Sequence, residues 1–143
     1  FALANKIYSP SYISLESALA YYNVIPETVL GVTSVSSRKT KEYDSPWGSF
    51  RYRHVKPIYM FGYQVLEVDQ KNKYSMARLE KAVLDFLYLN PGMKTIEDFE
   101  GQRWNKEIIQ SLDEKSLFGE YLNIYQNKAL HKRVETMREY GDA

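Results

Sequence analysis

Two carboxylates and a lysine at alternate positions, Glu67, Asp69 and Lys71, are candidates for metal-dependent chemistry in this sequence. On a β-strand this spacing places all three side chains on one face, as metal-dependent nucleases arrange the groups that hold a divalent cation. The residues stand, however, where a predicted strand runs into the polar stretch DQKNK, which is typical of a turn. A polar hairpin turn is therefore the favoured interpretation, with the nuclease as an alternative.

The chain contains few residues that are candidates for other kinds of catalysis. It has no cysteine, and its two histidines, His54 and His131, are isolated in the sequence. Ser14, in the stretch SLESALAYY, has no neighbouring histidine to act as its base. Phosphate-binding glycine motifs and the G-x-S-x-G nucleophile motif are absent. We therefore predict a protein that binds rather than catalyses, with no metal centre and no cofactor.

Five cations lie on either side of a predicted turn. Three of them precede the turn residues Asp44–Gly48, and two follow in the stretch SFRYRHV. If the flanking strands pair as a hairpin, the five share one region of an otherwise nearly neutral chain. This makes them the candidate nucleic-acid-binding residues. They are Arg38, Lys39, Lys41, Arg51 and Arg53.

The alternation in SFRYRHV also has a simpler explanation. With a period of two, Phe50 and Tyr52 face one side of a strand while Arg51 and Arg53 face the other. The two aromatic rings would then lie in the core and the arginines in water. We favour this over stacking of nucleic-acid bases on the two rings. The stretch also lacks the glycine-containing pattern of the common RNA-binding sheet.

The composition is that of one globular domain without a general attraction to polyanions. The chain has 143 residues, of which 44% are hydrophobic, and 19 basic against 18 acidic side chains give a net charge of +1. A nucleic-acid surface would therefore have to be a local patch. No apolar run reaches the roughly 18 residues of a membrane span, so no membrane partner is expected. The lack of cysteine is compatible with a cytoplasmic location.

The elements that position these residues begin with a predicted helix. Ser14 is a suitable N-cap, and Asn23 is suited to end the helix in the left-handed conformation. Glu16 in the first turn is favoured by the exposed N–H groups there. The apolar positions recur with helical spacing, at Leu15, Ala18, Leu19 and Tyr22.

A run of predicted strands follows, and the chain then changes to helices. Residues 29–37 predict one strand, residues 49–55 its hairpin partner, and residues 58–68 a further strand bent at Gly62. From residue 75 onwards the apolar spacing is helical. The order predicts an α+β fold, in which a mixed or antiparallel sheet of about four strands packs with an N-terminal helix and a C-terminal group of helices.

Five stretches in this order together resemble the C-terminal antitoxin domain of the AbiEi family, from bacterial type IV toxin–antitoxin systems. They are YISLESALAYYNVIPE, VTSVSSRKTKEY, WGSFRYRHV, FGY and LEKAVLDFLYL, within about residues 11–89. Their shared order makes the resemblance more specific than any single stretch. The chain has EKAVLD in place of the E-K-A-L-L-D run that is common in the family.

The resemblance implies that the domain functions by binding and is not an enzyme. Family members carry an N-terminal winged helix-turn-helix for operator DNA, followed by this domain. It counters a nucleotidyltransferase-like toxin encoded next door without forming a stable complex with it. In some members a positive surface of the domain helps to bind DNA, for which the five cations above are the candidates. Residues 1–143 are thus expected to be a single antitoxin-like domain, from a longer chain because FALANKIY lacks an initiator methionine.

Charged residues near the predicted helices have simple structural explanations. Lys81 and Asp85 are i,i+4 neighbours, which stabilise an exposed helix by only a few tenths of a kcal/mol. If Asp85 were buried, it would require a hydrogen-bond partner. Glu97, Asp98 and Glu100 form an acidic cluster near the start of a predicted helix, where the helix dipole favours carboxylates without a metal.

Overall fold

The computed structural model describes residues 1–26 and 30–143, and these contain both helices and strands. Most of the helices follow the strands in the chain, as the sequence predicts. The helices are α1 (Ala2–Ile7), α2 (Leu15–Tyr21), α3 (Leu79–Leu89), α4 (Ile96–Gly101), α5 (Lys106–Ser111), α6 (Leu117–Ile124) and α7 (Lys128–Asp142). The strands are β1 (Ser11–Ile13), β2 (Val32–Ser36), β3 (Lys41–Ser45), β4 (Gly48–His54), β5 (Tyr63–Glu67) and β6 (Lys73–Ala77).

The described strands form one mixed sheet in the order β3-β4-β2-β1-β6-β5. The prediction of an α+β fold is confirmed, but the sheet has six strands where about four were expected. Two of the six have weak sequence signals. β1 is only three residues long. β6 lies where the sequence predicted the end of a turn, DQKNK, followed by the start of a helix at residue 75.

The pairing around residues 32–54 differs from the predicted hairpin. β2 and β4 are neighbours but run parallel, with Thr33 opposite Arg51 and Val35 opposite Arg53. The antiparallel partner of β4 is instead β3, joined to it by the tight turn at Pro46 and Trp47. The turn residues therefore predicted the position of the hairpin correctly. Its first strand is β3, which adjoins the turn, and not the predicted strand 29–37. Residue 29, at the start of the predicted strand 29–37, lies outside the described residues.

The two faces of the sheet are covered by different helices. On one face, the Tyr52 hydroxyl donates to the carbonyl of Ala4 in α1, and the Tyr8 ring contacts the rings of Tyr43 and Tyr52. On the other face, Tyr12 of β1 reaches Asp85 of α3. α1 thus covers one face, while α2 and α3 pack against the other.

Helix α2 begins and ends at the predicted residues, but its N-cap side chain bonds elsewhere. Ser14 stands at the N-cap position, but its side chain makes no capping hydrogen bond and donates to Asp85 at 2.8 Å. Ser17 and Thr33 instead exchange hydrogen bonds between side chain and backbone N–H, which ties α2 to β2. Asn23 has φ +62°, the left-handed conformation expected at the helix end.

The predicted strand 58–68 is shorter than expected. It begins with a 3-10 turn at Pro57–Tyr59, and β5 starts only at Tyr63, after Gly62 with φ +74°. β5 and β6 then form a hairpin. The bend that the sequence predicts at Gly62 therefore separates the turn from the strand.

The helices after residue 78 agree with the sequence. The apolar residues of α7, Leu130, Val134 and Met137, are buried, and Thr95 begins α4 with a capping box to Asp98. Among the described residues, no helix combines the length and the apolar character that crossing a membrane requires.

Candidate functional site

A lysine and an aspartate on α3 form a buried ion pair. The Lys81 Nζ and Asp85 Oδ1 atoms are 2.5 Å apart, and both side chains are fully buried. Charged side chains are almost never fully buried unless they are paired. The expectation of a weak pair was therefore wrong, since both side chains are removed from the bulk solvent that screens exposed pairs.

The Asp85 carboxylate accepts hydrogen bonds from parts of the chain that are distant in sequence. Its Oδ2 atom accepts from the hydroxyls of Tyr12 and Ser14, each at 2.8 Å. Its Oδ1 atom accepts from the Tyr125 hydroxyl at 3.3 Å. The hydroxyl oxygen of Tyr125 in turn accepts from the Lys81 Nζ atom at 2.5 Å. We call these five residues the buried cluster. It joins β1, α3 and the segment after α6.

Aromatic rings enclose the lysine end of the buried cluster. The Lys81 Nζ atom lies 4.4 Å from the centre of the Phe61 ring and 5.2 Å from that of Tyr125. Such distances permit a cation–π attraction, which is stronger away from water. Tyr59 stacks on Tyr125 at 4.5 Å, and Tyr63 stacks on Tyr12 at 4.8 Å. The rings therefore both stabilise the ammonium group and shield it.

Burial changes the proton affinity of the buried cluster. It lowers the pKa of Lys81, an effect that the Asp85 carboxylate opposes. It raises the pKa of both Tyr12 and Tyr125, and Asp85 adds to the increase because a second negative charge beside it is unfavourable. Every polar group of the cluster thus has its partner inside the protein. The arrangement is suited to holding three parts of the fold together.

The free energy of unfolding is expected to fall as the pH rises above 10. Tyrosines of the unfolded chain titrate near 10, whereas burial raises the pKa of Tyr52 to about 12 and raises those of Tyr12 and Tyr125. The folded state then holds protons that the unfolded state has lost. Each such proton lowers the stability by about 1.4 kcal/mol per pH unit.

Lys81 acts in the opposite sense, because a lowered pKa makes stability rise with pH up to the ordinary value of 10.5. Its single proton does not offset those of three tyrosines. Urea unfolding at several pH values up to about 12 measures the slope. Tyr52→Phe is expected to flatten it by one proton. A stability that is unchanged between pH 10 and about 12 would contradict the burial of these hydroxyls.

The candidate nucleic-acid residues are divided between the two faces of the sheet. Arg51 and Arg53 lie on the α3 face, where they donate to the carbonyls of Leu30 and Leu89. Lys41 is opposite Tyr52, on the α1 face. The five cations are thus near one edge of the sheet but do not form one surface.

Arg38 and Lys39 lie where β2 ends. The Arg38 guanidinium stands 4.2 Å from the centre of the Tyr8 ring, and the Tyr8 hydroxyl donates to the carbonyl of Lys39. The His54 ring contacts the Arg38 carbonyl at 3.0 Å. Because β2 and β4 are parallel, their carboxyl ends meet here, and the exposed Lys56 lies two residues after the end of β4.

We call this surface the basic edge. It consists of Arg38, Lys39, Lys41, His54 and Lys56. Sequence reasoning missed His54 and Lys56, because only the parallel pairing brings the end of β4 beside the end of β2.

The alternation of β4 is confirmed in its simpler form. Phe50 is 5% exposed and Tyr52 1%, while Arg51 and Arg53 are exposed. Neither aromatic ring is accessible for base stacking. Base stacking on these two rings is therefore excluded.

The carboxylates of the nuclease alternative belong to the β5–β6 hairpin. The Asp69 carboxylate accepts from the backbone N–H groups of Lys71 and Asn72, and these bonds lower its pKa. Glu67 pairs with Lys73 at 3.3 Å. Within residues 1–26 and 30–143, no group of three or more metal-ligating side chains is placed to hold an ion. The polar-turn interpretation thus accounts for these residues.

These features define an α+β domain built on a mixed sheet, with a buried polar cluster and a basic edge. Comparisons of the chain with models of protein families, with curated proteins and with solved structures found no match.

Proposed function

We propose that this chain is the antitoxin and transcriptional-regulator domain of a bacterial type IV toxin–antitoxin system and that it acts by binding. The observation that carries the proposal is where the AbiEi-like stretches lie. SLESALAYY supplies Ser14, LEKAVLDFLYL supplies Lys81 and Asp85, and FGY supplies the ring over Lys81. Stretches far apart in sequence thus meet in one buried cluster. The residues of the cluster therefore stabilise the fold, and a partner molecule would bind to the surface of the domain instead.

The proposed partner is a neighbouring nucleotidyltransferase-like toxin, which the domain counters in the cytoplasm without a stable complex. The test is a rescue experiment with residues 1–143. The neighbouring gene is induced alone and together with this chain, whose folding is checked by circular dichroism. Restored growth is expected. If the induced gene is toxic and the folded chain does not restore growth, the antitoxin proposal is wrong.

A second activity, contact with operator DNA, is favoured by the basic edge. In the described part of the chain, none of the side chains of Arg38, Lys39 and Lys41 has a carboxylate within 4 Å, so their charge is available to phosphates. Arg51 and Arg53 on the α3 face likewise have no carboxylate within 4 Å among the described residues, but Glu42 stands opposite Arg51 in the sheet and reduces the positive potential there. The α1 side of the edge is therefore the better candidate for phosphate contacts.

Two variants separate these surfaces. Replacing Arg38, Lys39 and Lys41 together with alanine is expected to weaken DNA binding at all sequences alike. About four phosphate contacts give a log–log salt slope near −3.6, and each lost contact reduces its size by about 0.9. Arg51→Ala with Arg53→Ala is the matched control and is expected to change the slope less. Equal affinity of the triple variant and the unmodified chain would exclude DNA contact by this edge. Rescue of growth by the triple variant is expected to persist.

A further inference from the structure

A concave site lies between the segment after α3 and one side of α7. The cleft has a volume of about 330 Å³, and its α7 side is formed by residues spaced as one helix face, Ala129, Lys132, Arg133 and Thr136. Pro91, Lys94 and Thr95 form the opposite wall. This volume is at the small end of the range for small-molecule sites. The basic residues of α7, which the sequence alone does not distinguish from an ordinary solvated face, thus border a cleft.

The charge of the cleft is positive. Lys94, Lys132 and Arg133 line it, and no carboxylate is among its described lining residues. Arg133 is fixed in place because its Nη1 atom donates to the carbonyl of Leu87 at 2.9 Å. A guanidinium has five donors, so others remain for a ligand. Asp98 is nearby, but its carboxylate accepts from the backbone N–H groups of Lys94 and Thr95 in the cap of α4.

The remaining lining is mostly apolar, because the hydroxyls of Thr95 and Thr136 already donate to the Asp98 carboxylate and to the Lys132 carbonyl. Pro91 and Ala129 offer hydrocarbon surface between the cations. A ligand that matches both features carries a compact negative charge and a small apolar body. From this combination we infer that the cleft binds a small organic phosphate monoester. The inference does not depend on the antitoxin proposal, because it uses neither the basic edge nor the AbiEi-like stretches.

A nucleic-acid duplex fits this site less well than a small phosphate. Glu135 and Glu139 are exposed on the same helix, close to the cations in sequence, and repel an extended polyanion. A duplex also requires a broad surface, whereas this site is concave and about 330 Å³ in volume. The small ligand therefore explains the geometry better.

The test is an NMR titration of the ¹⁵N-labelled chain with AMP, inorganic phosphate and adenosine. AMP is expected to give saturable shifts of amides in residues 91–95 and 129–136, with inorganic phosphate weaker and adenosine inactive. Lys132→Ala is expected to weaken AMP binding about fivefold, since one screened charge contact is lost. Lys128→Ala removes the same charge from the same helix outside the cleft and is expected to change the affinity less than about twofold.

Both lysines are exposed, so the spectra of the variants also report that they remain folded. The proposal is overturned if millimolar AMP gives no saturable shift, or if the two lysine variants weaken AMP binding equally. It is also overturned if a DNA duplex shifts these amides and AMP does not, since the ligand would then be a nucleic-acid backbone.

Discussion

Lys81→Met is expected to lower the free energy of unfolding by about 3–5 kcal/mol, the usual cost of removing one partner of a buried ion pair. Methionine has a similar length, so the loss reports the charge and not a cavity. The variant leaves the Asp85 carboxylate buried without its counter-ion, although the hydroxyls of Tyr12 and Ser14 still donate to it. Urea unfolding monitored by circular dichroism measures the change.

The exposed pair Lys73–Glu67 provides the matched control. Its atoms are 3.3 Å apart, but the side chains are 57% and 63% exposed, so Lys73→Met is expected to change stability by less than about 1 kcal/mol. Asp85→Asn completes a double-mutant cycle at the buried pair. The double variant should be more stable than the sum of the single changes predicts. Additive losses, or equal effects of the two lysine substitutions, would show that Lys81 and Asp85 are not coupled in a dry site.

Gly62→Ala has the second largest expected effect, a loss of about 2–4 kcal/mol in the free energy of unfolding. Gly62 has φ +74°, which strains any residue with a Cβ atom. A Cβ atom there would also lie 2.9 Å from the Tyr121 ring and 3.0 Å from the Cγ atom of Lys81. The segment that covers the lysine would have to move away from it. Thermal or urea unfolding measures the loss.

Gly119→Ala serves as the comparison for Gly62→Ala. Gly119 lies inside α6, and a Cβ atom there meets nothing within 4 Å. Alanine in an open helical position is expected to raise stability by about 0.5–1 kcal/mol. The two substitutions should therefore have opposite signs. A neutral Gly62→Ala variant would mean that the segment over Lys81 packs loosely.

Local features of the fold were predictable from the sequence. Asn23 takes the left-handed conformation that ends α2, and the turn signals at 44–48 correspond to a hairpin. The alternation in β4 correctly assigned Phe50 and Tyr52 to the core. Each of these features depends on neighbouring residues only, and the chemistry of turns, caps and strand periodicity acts over that range.

Pairing between distant segments was not predictable in the same way. The turn signals indicate where a hairpin bends but not which segment lies beside its other edge, so the parallel β2–β4 pair was missed. The division of Lys41 from Arg51 and Arg53 follows from the register of β3 and β4, in which Lys41 stands opposite Tyr52. The five cations that were predicted to share one region are thus separated. Arg38, Lys39 and Lys41 belong to the basic edge, and Arg51 and Arg53 lie on the other face of the sheet.

The sequence by itself determined the α+β class, the positions of most helices and the absence of cysteine chemistry. Only the tertiary structure decided that Lys81 and Asp85 are buried. Charged side chains are expected at the surface, and what allows the burial of these two is the set of hydroxyl partners around them, Tyr12, Ser14 and Tyr125. Those partners lie 40 or more residues away in the chain. No local pattern contains contacts of that range, and burial depends on them.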